Sequence, residues 1–94
     1  MRQDTRQAVR SIKERVRANA FTYTDRAFEE MVDQFLYEED VKRAVSTAHL
    51  VGIFRVVPHG TGYILHGFGM DEQPVEILCR LRRSKVEIDG VSRL

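Results

Sequence analysis

The sequence predicts an α+β domain in which two to three N-terminal helices pack on one face of a four-stranded antiparallel sheet. Three observations support this. In the first half, apolar residues recur at the three- and four-residue intervals of helices. From His49 onward the period falls to two, and glycines, prolines and turn residues separate the apolar runs. The links between those runs are short, which suits an antiparallel meander, because parallel neighbours need a long crossover. The 94 residues suffice for one modest core and no more, divided as a basic helix over 1–20, a helical pair over 21–48 and a sheet over 49–90.

The first helix is expected from about Thr5 to Asn19, with Val9, Ile12, Val16 and Ala20 as its buried stripe. Arg2, Arg6, Arg10, Lys13 and Arg17 form a second line within about 80° on the helical wheel. That line is either a solvated face or a rail for an anionic partner. Thr24 is placed to cap the second helix, its hydroxyl accepting a backbone N–H near Ala27. Ala27, Phe28, Met31 and Phe35 are expected to face the core from this helix. In the third helix Glu38, Glu39 and Asp40 crowd the first turn, where carboxylates complement the positive end of the dipole. Val41, Ala44 and Val45 are its apolar positions.

Strands are expected at Leu50–Val57, Gly62–Phe68, Val75–Arg82 and Lys85–Asp89. Alternation suggests a register with Ile64 opposite Cys79, His66 opposite Ile77 and Phe68 opposite Val75. Leu81 then faces Val86, and Val56 and Phe54 face Ile64 and His66. This puts Phe54, Ile64, His66, Cys79 and Ile88 under the helices. The opposite face collects Arg55, Tyr63, Leu65, Glu76, Leu78, Arg80, Arg82, Lys85 and Glu87, with Tyr63 across from Arg80 and Arg80 across from Glu87. Such a face is either a solvated surface of cross-strand ion pairs or a shallow basic surface able to hold a phosphodiester.

The formal charge of +1 conceals a strong segregation. Residues 1–26 carry seven basic and three acidic side chains, whereas residues 27–40 carry six acidic and none basic. A chain charged this way has a dipolar surface, so anionic partners fit despite the near-neutral total. One cysteine, Cys79, excludes an internal disulfide and a thiolate metal site. No signal-peptide pattern and no membrane-length apolar run is found, which gives a cytoplasmic, bacterial-type soluble domain as the expectation. His49, His59 and His66 are too scattered for a metal site, and no cofactor motif stands out; Gly60-Thr61-Gly62 lacks the helix that a phosphate loop needs. His59, in a turn beside the basic face, is the best-placed acid/base group because an unperturbed imidazole titrates near about 6.5.

Thr24-Asp25-Arg26-Ala27 through Met31, then Glu38-Glu39-Asp40-Val41 with Ala44, then Gly62-Tyr63-Ile64-Leu65-His66-Gly67, resemble a small domain-of-unknown-function family allied to the RelE/ParE toxin superfamily. The resemblance covers roughly residues 21–90 and implies a single RelE/ParE-like domain over 1–94. Relatives either cut messenger RNA without a metal, through basic and aromatic residues on the open sheet face, or inhibit other nucleic-acid enzymes. It implies a phosphate-holding set of Arg55, Tyr63, Arg80, Arg82 and Lys85. Together with the residue reading, His59, Tyr63 and Arg80 become the catalytic candidates. Two positions depart from the pattern: Arg26 stands where histidine is common, and Glu30 where a basic residue is.

Two functions follow as expectations. One is a toxin-like protein that binds or cleaves RNA through the open sheet face, with Arg6, Arg10 and Arg17 as further nucleic-acid contacts. The other is a non-enzymatic interaction domain whose helix stripe or edge strand pairs with an acidic, antitoxin-like protein or with its own copy.

Overall fold

A computed structural model describes residues 2–56 and 60–94. In chain order the elements are α1 (Arg2–Arg17), β1 (Phe21–Tyr23), α2 (Asp25–Gln34), α3 (Glu38–Thr47), β2 (His49–Val56), β3 (Gly60–Phe68), β4 (Pro74–Leu81) and β5 (Val86–Arg93). The fold is α+β. Its sheet has five strands rather than four and is mixed, in the order β1-β5-β4-β3-β2. The additional strand, β1, runs parallel to β5, pairing Phe21 with Val86 and Tyr23 with Ile88.

Local contacts set both ends of α2 and the start of α3. Ala8, Ile12 and Val16 are buried on α1 among the residues whose side chains are described. Thr24 caps α2, its hydroxyl accepting the Ala27 N–H at 3.1 Å. Phe35 closes that helix in the left-handed region (φ 56°), its N–H returning to the Met31 and Val32 carbonyls. Asp40 in α3 accepts the Tyr37 N–H at 2.9 Å, satisfying a donor just before the helix.

The inward face of α2 differs from the expected one. Ala27 and Met31 are buried, but Phe28 and Phe35 are 57% and 74% exposed. Glu30 and Gln34 take the inward positions instead, one and two turns along the Ala27–Met31 stripe. Their task is the outer edge of β5, which β1 covers only as far as Ile88. Past that point the Glu30 carboxylate accepts the Val91 N–H at 2.9 Å. The Gln34 amide donates to the Val91 carbonyl at 2.8 Å and accepts the Arg93 N–H at 2.7 Å. One side-chain amide thus substitutes for a peptide group of a neighbouring strand, and the edge is closed.

Core formation follows from the layers. Leu65, Val75, Ile77, Cys79, Val86, Ile88 and Val91 from the sheet meet Ile12, Val16, Ala27, Met31, Val41, Ala44 and Val45 from the three helices. The β4–β5 pairing agrees with the expected register from Leu81–Val86 to Cys79–Ile88, with Arg80 across from Glu87. A bulge then admits Asp89, and β5 continues to Arg93 instead of stopping.

The β3 register needs correction by one residue. Leu65 lies opposite Ile77 and Tyr63 opposite Cys79, so the helices cover Leu65 and Tyr63, whereas Ile64 and His66 point to the open face. Gly67 sets the phase. A methyl at this position would collide with the Ala44 carbonyl oxygen, so β3 passes directly beneath α3 only with glycine turned inward. The β3–β4 link is five residues, 69–73. Against β2 the shift is larger: Phe54 pairs with Gly62 and Val56 with Gly60.

Candidate functional site

The sheet-face residues singled out by the sequence do not gather into one site. Arg80 is on the open face but its side chain is only 13% exposed and is held by two carboxylates. Its Nε donates to Asp89 at 2.8 Å, and Nη2 donates to Asp89 at 3.0 Å and to Glu87 at 3.2 Å. The bonds to Asp89, followed by the charges of Asp89 and Glu87, outweigh burial and raise the guanidinium pKa further. Arg82 shares Glu87 at 3.3 Å, so the two arginines and two carboxylates cancel one another. Lys85 lies beyond them in the exposed turn before β5.

Tyr63 packs against the core on the other side of the sheet from Arg80. Arg55 is opposite Thr61 on the edge strand and shares Tyr63's side. His59 lies outside the described residues. His66, expected under the helices, instead reaches Glu76 at 3.0 Å on the open face. That face has an apolar middle, where Phe54 lies over Gly62, with no net positive charge around Arg80. Cys79 is buried, and burial first, then Asp89, pushes its thiol up to about 12, so it carries no thiolate near neutrality. Among the described residues, no group of three His, Cys, Asp or Glu side chains could hold a metal ion. No helix among them is long and apolar enough to cross a membrane.

The basic stripe of α1 lines a groove. This groove, of about 1180 Å³, lies between α1 and α3. Its floor is apolar: Val9 and Val16 from α1, Leu50 from β2 and Met70 from the β3–β4 link. Val9 and Leu50 are half-buried against the core, and Met70 is 56% exposed. Arg6, Arg10, Lys13 and Arg17 form one rim, and Lys42 and Arg43 the other, against two acids, Glu14 and Glu39. Arg43 is paired with Glu72 at 2.6 Å. Among the described residues, Lys42 and Lys13 bond to neutral acceptors, the Asn19 side chain and the Ser46 carbonyl. Among the described residues, no ion pair engages Arg6, Arg10 or Arg17.

The sequence therefore marked one wall of the groove and missed the other. Lys42 and Arg43 lie on α3, a separate helix, two and three residues past Asp40. Leu50 and Met70 are far from α1 in sequence and join it only through the fold. Comparison with known proteins supplies no guide to the occupant: no family model, curated protein or solved structure matches the chain.

Proposed function

We propose that the chain is a non-enzymatic binding module whose α1–α3 groove takes an acidic amphipathic helix. The observation that carries this is the joining of an apolar floor to a basic rim in one concavity. A phosphodiester strand would satisfy the arginines but leave Val9, Leu50 and Met70 facing a polar ligand. A helix with apolar residues on one stripe and carboxylates beside it satisfies both, in the manner of helix-in-groove recognition. Met70 suits such a surface, because an unbranched thioether side chain repacks around differing apolar anchors. The rim charges raise the encounter rate and fix orientation, and the floor supplies most of the affinity.

Fluorescence anisotropy tests this with two labelled probes, a leucine/glutamate amphipathic helical peptide and a single-stranded RNA. The peptide is expected to bind, and Arg10→Glu/Arg17→Glu to weaken it by about tenfold or more, because two attractions become repulsions. Binding of the RNA alone, lost in the same variant, would replace this function with nucleic-acid binding along the α1 rail.

A further inference from the structure

The exposed side of α2 carries what the groove lacks. Phe28 and Val32, one turn apart, are each 57% exposed, and Phe35 at the end of the helix is 74% exposed. Asp25, Glu29 and Asp33 follow one another at four-residue steps beside this ridge, all exposed. Phe35 also has a positive φ of 56°, a conformation unfavourable for a bulky residue, and its side chain is exposed. An apolar ridge held out in this way, with a line of carboxylates along one flank, is the complement of an apolar floor with a line of arginines along its rim.

We infer that the groove's partner is a second copy of this chain, with the α2 ridge of one molecule seated in the α1–α3 groove of the next. The inference rests on the proposed function and names its partner. The ridge is short enough for the groove: Phe28 to Phe35 spans about 10 Å of helix, within the about 16 Å from Arg6 to Arg17, at 1.5 Å per residue. Charge also agrees, since the line of Asp25, Glu29 and Asp33 would run along the rim of Arg6, Arg10 and Arg17, residues with no ion pair among the described residues. The ridge does not occupy its own groove, because its side chains are exposed and none of them lines it. Ridge and groove are different surfaces, so each contact is head-to-tail and either closes a ring or propagates.

Two variants and their mixture test this by sedimentation velocity. Phe28→Gln/Phe35→Asn removes the ridge while placing asparagine, which tolerates positive φ, at the C-cap. Arg10→Glu/Arg17→Glu reverses the rim, and circular dichroism confirms that both variants fold. The native chain is expected to gain mass with concentration and each variant to remain a monomer. The equimolar mixture should regain a dimer, because it contains one intact ridge and one intact groove. A native chain that stays monomeric, or a mixture that does, overturns the inference. If the native chain is monomeric yet its groove binds the acidic peptide, the proposed function survives and only the identity of the partner fails. If the rim variant still self-associates, the groove is not the contact.

Discussion

Replacing Asp40, a buried carboxylate in the first turn of α3, with alanine should markedly lower stability. Asp40 is 6% exposed and accepts the Tyr37 and Met70 backbone N–H groups, both at 2.9 Å. The Gln73 amide approaches it at 3.4 Å. It therefore ties the start of α3 to the loop that brings Met70 to the groove floor. A hydrogen bond to a charged acceptor contributes about 1.5–3 kcal/mol, and water reaching the freed N–H groups offsets part of the loss. The expected cost is about 3 kcal/mol for alanine and about half that for asparagine, which keeps one acceptor. At about 0.2 kcal/mol/K of unfolding entropy for a chain of 94 residues, alanine should lower Tm by about 15 °C. Burial opposes ionisation of Asp40, but the Tyr37, Met70 and Gln73 bonds prevail and hold its carboxyl below the ordinary 3.8. A lowered carboxyl pKa stabilises the fold above the unfolded value, and that contribution disappears as pH falls through the folded value. The gap between native and Asp40→Ala should thus be complete above pH 3.8 and narrow below it. Thermal melts followed by circular dichroism across that range decide it. A drop of less than about 5 °C at neutral pH, or a gap that persists unchanged in acid, would refute this role for Asp40.

Two further outcomes follow from other contacts. Gln34→Glu keeps the side-chain shape but turns an acceptor toward the Val91 and Glu30 carbonyls that the amide now serves; it should cost about 2 kcal/mol in urea unfolding at neutral pH and much less when the new carboxyl is protonated. Cys79 should resist an aromatic disulfide reagent in the folded protein and react only after denaturation, as its buried position and raised pKa require; prompt labelling of the native chain at neutral pH would contradict its place in the core.

The parts of the fold legible in the sequence are those fixed by near neighbours. Thr24 caps α2 through a residue three positions on, and the β4–β5 hairpin keeps its pattern up to the bulge at Asp89. Errors arose where distant contacts decide. Tyr63, Ile64 and Leu65 are three consecutive bulky residues with no alternation of their own, and only the approach of Ala44 to Gly67 selects which of them faces inward. β1 is three residues long, and its partner β5 lies more than sixty positions away, so no local pattern announces it. On α2, Phe28 and Phe35 read as core because aromatic residues at helical spacing usually are. The polar side chains Glu30 and Gln34 displaced them because the unpaired edge of β5 needed hydrogen-bond partners. The candidate groove was half legible for the same reason: its α1 rim is a stripe in sequence, whereas its floor and second rim are assembled by the fold.

Backbone amide shift mapping is the most direct test of the groove as the functional surface. An isotopically labelled chain is titrated with the acidic amphipathic peptide, and perturbations are placed on the structure. The expected result is a contiguous set of shifts at Val9, Lys13, Lys42, Leu50 and Met70, with the open-face residues around Arg80 unmoved. Shifts centred instead on Arg80, Leu78 and Phe54, with α1 and α3 silent, would contradict the groove and return function to the open face of the sheet.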